Sequence, residues 1–299
     1  MNILVTGANG FLGHHLIAQL LKKEHSVIAT GRGECRLPFT GQKGFQWLSL
    51  DFTDPFAVHN TFQLYKPEVV IHAGAMTRVD ECEQKQWDTY LVNVEGTVTL
   101  LLNAFEHKSF FIFVSTDFVF TGDKEFYSEE DEPGAVNFYG KTKLEGEDAV
   151  KEYEYDWAIV RTSLVYGKPL GGKSNILSVV KEKLEKKERY DVVDDQVRTP
   201  TYVEDLAAGI VSIIEKKATG IYHIAGADVL TPYQMACMTA DHLGLDPSLI
   251  GRVTAADFSQ PAKRPARTSF SIDKARKDLG YSPLRFKQGL EKTFPKTTG

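Results

Sequence analysis

No apolar run in the 299-residue chain approaches the ~20 residues needed to cross a bilayer, and the N-terminus enters the strand-like NILVTG without a basic leader. A complete cytoplasmic chain with no membrane partner is therefore expected. Cysteine is scarce: Cys35, Cys82 and Cys237 lie far apart and outside any C-x-x-C, which argues against a disulfide framework or a zinc site and for a reducing compartment. His14 and His15 are adjacent, and no set of residues has metal-ligand spacing, so no metal is expected. An excess of positive charge is also missing. With 35 Lys and Arg against 40 Asp and Glu the net charge is -5, which gives no general attraction to nucleic acid. Any anionic ligand then needs a local site. Internal repeats and low-complexity tracts are lacking as well.

What is present is alternation. Short runs rich in Val, Ile and Phe at 3–6, 26–30, 47–50, 68–73, 110–115 and 157–162 alternate with amphipathic segments of helical length. Helices are predicted at 11–23, 55–65, 86–107, 138–152, 174–188, 203–216, 232–243 and 273–279, with Thr231 before Pro232 marking one start. The pattern predicts an α/β fold: a doubly wound parallel sheet (Rossmann fold) with a second, smaller, discontinuous C-terminal domain. Residues 1–165 form the dinucleotide-binding domain, with 196–225 returning to it. Residues 166–195 and 226–299 form the substrate domain, and KPLGGKS after Gly167 is a loop.

The first motif is TGANGFLG, which sets Gly7, Gly10 and Gly13 directly after the first strand, with Asn9, Phe11 and Leu12 between them. A glycine turn opening a helix lets backbone N–H groups approach a pyrophosphate at the positive end of the helix dipole. NAD-selective sites usually end the second strand with an acid for the ribose hydroxyl. This one ends in Arg32, suited to a 2′-phosphate, so NADP(H) is expected over NAD(H), with Glu34 close enough to keep NAD open. Asp51 and Phe52 end the third strand near the adenine position, although Asp51 could instead cap the helix starting near Pro55.

Ligands of such sheets lie at the carboxyl ends of the strands. There the chain places Ala73, Gly74 and Ala75, small enough to leave room for a cofactor, and then Ser115, Thr116 and Asp117. The stretch VNFYGKTKLEGE sets Tyr139 and Lys143 four apart, on one face of a helix. An ammonium beside a phenol should lower its pKa and make it a better proton donor to an alkoxide. Thr116 could hold the carbonyl oxygen or cap its strand. For Ser115, capping is the stronger reading.

With these residues in place, the chain resembles the extended short-chain dehydrogenase/reductases, and among them the dTDP-4-dehydrorhamnose reductase family. TGANGFLG, STDFVF, FYGKTKLEGE and DDQVRTPTYVEDLA carry the match, and AKRPARTSFSID extends it over nearly the whole chain. The resemblance implies NADPH-dependent reduction of a 4-keto sugar nucleotide, with Tyr139 as proton donor, Lys143 on the nicotinamide ribose and Thr116 orienting the carbonyl. It also implies Asn93 in support of the proton relay, or else as a buried polar residue at a backbone bend. Met76, Thr77, Arg78, Asp80, Arg264 and Arg267 would face the substrate, with a solvated basic turn at KRPAR as the equal alternative for Arg264, and a homodimer stays open. Two positions depart from the family. Leu164 in RTSLVY stands where a Trp commonly packs on the sugar, so the resemblance carries the reaction further than the particular sugar. Arg198 replaces a usual Gly, and is read either as a phosphate ligand or as a partner of Asp194 or Asp195. Asp117 beside Thr116 is where a dehydratase carries its acid, which keeps epimerase or dehydratase chemistry in view. The same departures also resemble the regulatory β subunit of methionine adenosyltransferase, which binds NADP and is not chiefly an enzyme.

Overall fold

A computed structural model describes residues 1–169 and 174–295. The loop expected at KPLGGKS falls largely outside the described residues. The chain begins with β1 (Asn2–Thr6), α1 (Phe11–Lys22), β2 (Ser26–Gly31), β3 (Phe45–Ser49), α2 (Pro55–Tyr65) and β4 (Val69–His72). There follow α3 (Val79–Gln84), α4 (Gln86–Tyr90), α5 (Gly96–His107), β5 (Phe110–Thr116), α6 (Phe138–Lys151) and β6 (Trp157–Thr162). The remainder comprises β7 (Val165–Tyr166), α7 (Ile176–Glu185), β8 (Tyr190–Val193), β9 (Thr201–Tyr202), α8 (Val203–Lys216) and β10 (Gly220–His223). It ends with α9 (Pro232–Leu243), β11 (Ile250–Val253), α10 (Asp273–Leu279) and α11 (Phe286–Thr293).

Seven parallel strands form the main sheet in the order β10-β6-β5-β4-β1-β2-β3. Strand order reverses between β1 and β4, so a crevice opens where their carboxyl ends splay. Because alternate strand residues point to opposite faces, Ile3 and Val5 enter the core beneath α1, α8 and α10, whereas Leu4 enters the core beneath α2, α5 and α6. Full burial of each such side chain contributes about 1.5–3 kcal/mol. Strands and helices therefore share two apolar layers, and the polar strand ends are left for the site.

Local signals set several boundaries. Thr231 and Gln234 form a capping box at the start of α9, with Pro232 in its first turn and Gly244 left-handed at its end. Asp54, not Asp51, caps α2, accepting hydrogen bonds from the N–H groups of Phe56 and Ala57. The single helix predicted over 86–107 is interrupted by a π-turn at Leu91–Glu95. Two differences involve the second half. Strand β10, too short to stand out in sequence, pairs with β6 and completes the sheet edge. Residues 270–281 were expected in the smaller domain, yet Phe270, Ile272, Ala275, Leu279 and Tyr281 join the core of the main sheet. The smaller unit is built from α7 and α9 around the parallel pair β8 and β11, with Val180, Leu184, Ala236 and Ala240 between them.

Candidate active site

The turn between β1 and α1 has a shape only glycine allows at two points. Gly7 lies at φ +68, where an added Cβ would stand 2.7 Å from the carbonyl oxygen of Ala73, and a Cβ on Gly13 would stand 2.2 Å from that of Ala8. Gly10 caps α1 with no side chain competing for the N–H groups of the first turn. Those donors open onto a cleft of about 760 Å³ at the strand ends, large enough for a dinucleotide and a sugar. This cradle fits a pyrophosphate.

Asn9, Phe11, Leu12, Arg32, Asp51 and Phe52 line the nucleotide end. Asp51 holds the N–H and hydroxyl of Thr53 at 3.0 and 2.8 Å and caps no helix. Asn9 spans the turn and the loop after β2: its amide nitrogen donates to the carbonyl of Glu34 at 2.9 Å, and its oxygen accepts the N–H of Arg36 at 3.0 Å. That brace brings a second guanidinium, Arg36, to the cleft beside Arg32, and the sequence reading missed it. Both arginines are exposed, whereas Glu34 does not line the cleft. Ala73, Gly74 and Ala75 form the floor, and Phe52 packs so tightly that a Cβ on Gly74 would lie 2.6 Å from its ring.

At the other end Thr116, Tyr139 and Lys143 converge. Asn137 caps α6 through the N–H of Gly140, and Gly140 allows close approach to the carbonyl of Phe118, which a Cβ would meet at 2.2 Å. The helix is thereby seated on the end of β5. Tyr139 and Lys143 line the cleft on 9% and 2% exposed side chains. The ring of Phe118, also missed in sequence because it carries no polar signal, packs edge-on to Tyr139 with centroids 6.0 Å apart.

The electrostatics differ from expectation. Burial pushes the Tyr139 phenol well above its usual range; the Thr116 hydroxyl opposes this, while Asp117 and Cys82 add to it. Burial lowers Lys143 to about 7, and Glu147 acts in the opposite direction. The ammonium lies over the ring of Phe113, 3.8 Å from its centroid, and burial raises the phenol where the spacing to Lys143 predicted a fall. Tyr139 is instead kept protonated at neutral pH, the form a proton donor needs.

Four further expectations change. Arg198 is 3% exposed and outside the cleft: it pairs with Asp117 at 3.3 Å, and its remaining donors go to Gln196 and the carbonyls of Val197, Pro265 and Ala266. No N–H remains for a phosphate, and neither Asp194 nor Asp195 is its partner. Asp117 lines the cleft and is engaged by Arg198, Thr268 and Thr116. Burial raises its carboxyl while Arg198 and those hydroxyls pull it down. Arg264 forms a two-pronged pair with Asp80 at 2.7 and 2.6 Å, fastening the tail to the first turn of α3 rather than lining the cleft. Ser115 lines the cleft, but its hydroxyl donates to Glu147 at 2.6 Å.

Asn93 sits in the π-turn and grips both peptide groups of Met76, accepting its N–H at 2.8 Å and donating to its carbonyl at 3.0 Å. A further donor reaches Thr142 on α6 at 3.1 Å. It satisfies a backbone bend, the second of its two readings, and does not line the cleft. Thr77 and Leu164 line the substrate end. Leu164 holds φ 41, a strained value for a branched side chain, in the tight connection from β6 to β7. Among the described residues no group of three or more His, Cys, Asp or Glu side chains could hold a metal, and no helix is long and apolar enough to cross a membrane.

A parallel sheet with a glycine cradle at its switch point and a tyrosine and lysine one turn apart beside it define an extended short-chain dehydrogenase/reductase. The chain belongs to the RmlD substrate binding domain family, which it matches over residues 1–298. It is 33% identical over 296 residues to the dTDP-4-keto-6-deoxy-D-glucose reductase of Streptomyces niveus, covering 98% of this chain and 96% of that one. It is 32% identical over 257 residues to methionine adenosyltransferase 2 subunit beta of Xenopus tropicalis, covering 84% and 75%. Its fold matches the crystal structure of dTDP-4-dehydrorhamnose reductase from Bacillus anthracis str. Ames in complex with NADP, with a TM-score of 0.87 and 28% identity over 99% of each chain.

Proposed function

We propose that this protein is a cytosolic NADPH-dependent reductase of a 4-keto sugar nucleotide. The observation that carries the reading is the convergence of Thr116, Tyr139 and Lys143 on the cleft that the glycine turn opens. A bound reduced dinucleotide supplies the hydride. The chain's own groups do the rest. Gly7, Gly10 and the first turn of α1 take the pyrophosphate, and Arg32 with Arg36 takes a 2′-phosphate, which favours NADP(H) over NAD(H). Thr116 positions the carbonyl oxygen, Tyr139 gives it a proton as it gains negative charge, and Lys143 offsets the phenolate left behind. The sugar would lie toward Thr77 and Leu164, between the sheet and the smaller unit.

The test follows loss of reduced-nicotinamide absorbance with a panel of 4-keto sugar nucleotides. Turnover by the wild type and its loss in Tyr139→Phe support the reading, whereas no turnover on any member contradicts it. The similarity to methionine adenosyltransferase 2 subunit beta motivates a second reading, an NADP-binding regulatory subunit. Co-purification with a methionine adenosyltransferase catalytic chain, in the absence of reductase activity, would favour it.

A further inference from the structure

Lys143 is 2% exposed and makes no ion pair among the described residues, although its ammonium is the group that must balance a phenolate. One turn further along α6, on the face shared with Tyr139 and Lys143, lies Glu147, with no exposed surface at all. Its carboxylate is fixed from two strands. Ser115 on β5 donates to it at 2.6 Å, and Arg161 on β6 donates through Nε at 3.0 Å and Nη2 at 2.6 Å. Ser115 and Arg161 are register partners in the parallel ladder, so the sheet itself sets the clamp. Such a pair is expensive as a source of stability: both ions are dehydrated, and Nη1 of Arg161 has no partner. A different return is needed to explain it.

The groups around Lys143 narrow that return. From α6 come Tyr139 and Glu147. From β4 comes His72, hydrogen-bonded to Thr6 at 2.7 Å and Thr97 at 3.1 Å, and lowered by burial and by Lys143 itself. From β5 comes the uncharged ring of Phe113, and from β6 Arg161, which stands behind Glu147. Asp117, at the far side of Tyr139, is balanced by Arg198. Glu147 is the acid among the described residues whose charge favours the ammonium.

We infer that Glu147, clamped by Ser115 and Arg161, is a positioning residue for proton transfer: it is the fixed negative charge that favours the ammonium form of Lys143 in the cleft. The inference rests on the reductase reading. In that step the O–H bond of Tyr139 breaks and its proton passes to the substrate's carbonyl oxygen, leaving a phenolate that the Lys143 ammonium balances. With Glu147 neutral, burial discharges Lys143 at lower pH and the phenolate loses its counter-charge.

The test compares Glu147→Gln, Glu147→Asp and the double variant Glu147→Gln/Arg161→Met. The double variant removes the guanidinium that the first would leave buried and unpaired, and so carries the test should Glu147→Gln fail to fold. The direct readout is the pH midpoint of Lys143 acylation by an amine reagent, followed by mass spectrometry without substrate. The midpoint should fall by about one pH unit, a tenfold change in the protonation equilibrium, in Glu147→Gln, by less in the double variant, which also loses the Arg161 cation, and stay near the wild-type value in Glu147→Asp. The alkaline limb of kcat/KM should move the same way, whereas a purely structural defect would lower the whole profile without moving the limb. An unmoved midpoint in a folded double variant would overturn the inference. Failure of the wild type to turn over any 4-keto sugar nucleotide would overturn the reductase reading instead, and the labelling midpoint would still decide the role of Glu147.

Discussion

Replacing Lys143 with Met should make the protein more stable and catalytically inert, with a pH dependence that isolates the cause. The side chain is 2% exposed, and its pKa falls from the ordinary 10.5 to about 7 in the fold. At about 1.4 kcal/mol per pH unit, the gap between those values makes the folded ammonium cost on the order of 5 kcal/mol. The sign follows from proton counting. Below about pH 7 both folded and unfolded chains carry the charge and the cost is complete. Above it the folded chain gives up its proton first, so the cost declines toward pH 10.5. Met is unbranched and of similar length, and fills the same shaft over Phe113 without a charge to dehydrate. Urea unfolding of wild type and Lys143→Met, extrapolated to water, should then show the variant more stable by up to about 5 kcal/mol near pH 6, with a smaller advantage near pH 9. Equal stabilities near pH 6, or an advantage that grows with pH, would refute the reasoning. Such a gain with loss of activity is what a residue kept for chemistry rather than stability should give.

Gly7→Ala should destabilise the fold by about 1–3 kcal/mol and abolish dinucleotide binding, since its Cβ would meet the Ala73 carbonyl at 2.7 Å; unchanged NADPH affinity in a fluorescence titration would contradict the cradle. Arg198→Ala leaves Asp117 buried without its counter-ion and should cost about 3–5 kcal/mol in urea unfolding. Arg198→Lys should not restore that loss, because the three donors of an ammonium cannot serve Asp117, Gln196 and the carbonyls of Val197, Pro265 and Ala266 together. Replacing Arg32 and Arg36 together with Ala should weaken NADPH binding by about ten- to a hundredfold, equivalent to losing one or two charge-assisted hydrogen bonds, and leave NADH binding nearly unchanged. An equal loss for both dinucleotides in calorimetry would place the 2′-phosphate elsewhere.

How far the sequence spoke depended on whether a residue's partner was near in the chain. TGANGFLG, Thr231-Pro232 and Tyr139 with Lys143 act through neighbours a few positions away, and each was legible with its geometry. Arg198 and Arg264 stayed open between ligand and surface or ion-pair roles because a lone arginine in a loop advertises only its charge. Their actual partners, Asp117 and Asp80, are brought up by the fold from distant segments. The break in the helix over 86–107 was hidden for the same reason, since Asn93 is drawn toward Met76 from another element. Strand β10 and the return of residues 270–281 to the main core escaped because short segments carry too little periodicity to show which sheet they join. The direction of the Tyr139 shift was wrong because spacing along a helix shows that two groups are close, but not how deeply both are buried.

The most direct measurement supplies NADPH carrying deuterium at the transferring position of the nicotinamide, together with a 4-keto sugar nucleotide, and locates the label by NMR. Deuterium on C4 of the sugar with wild type, and none with a Tyr139→Phe variant that still binds NADPH, is the expected result. Tight dinucleotide binding with no label on the sugar in the wild type would contradict the assignment of this cleft to carbonyl reduction.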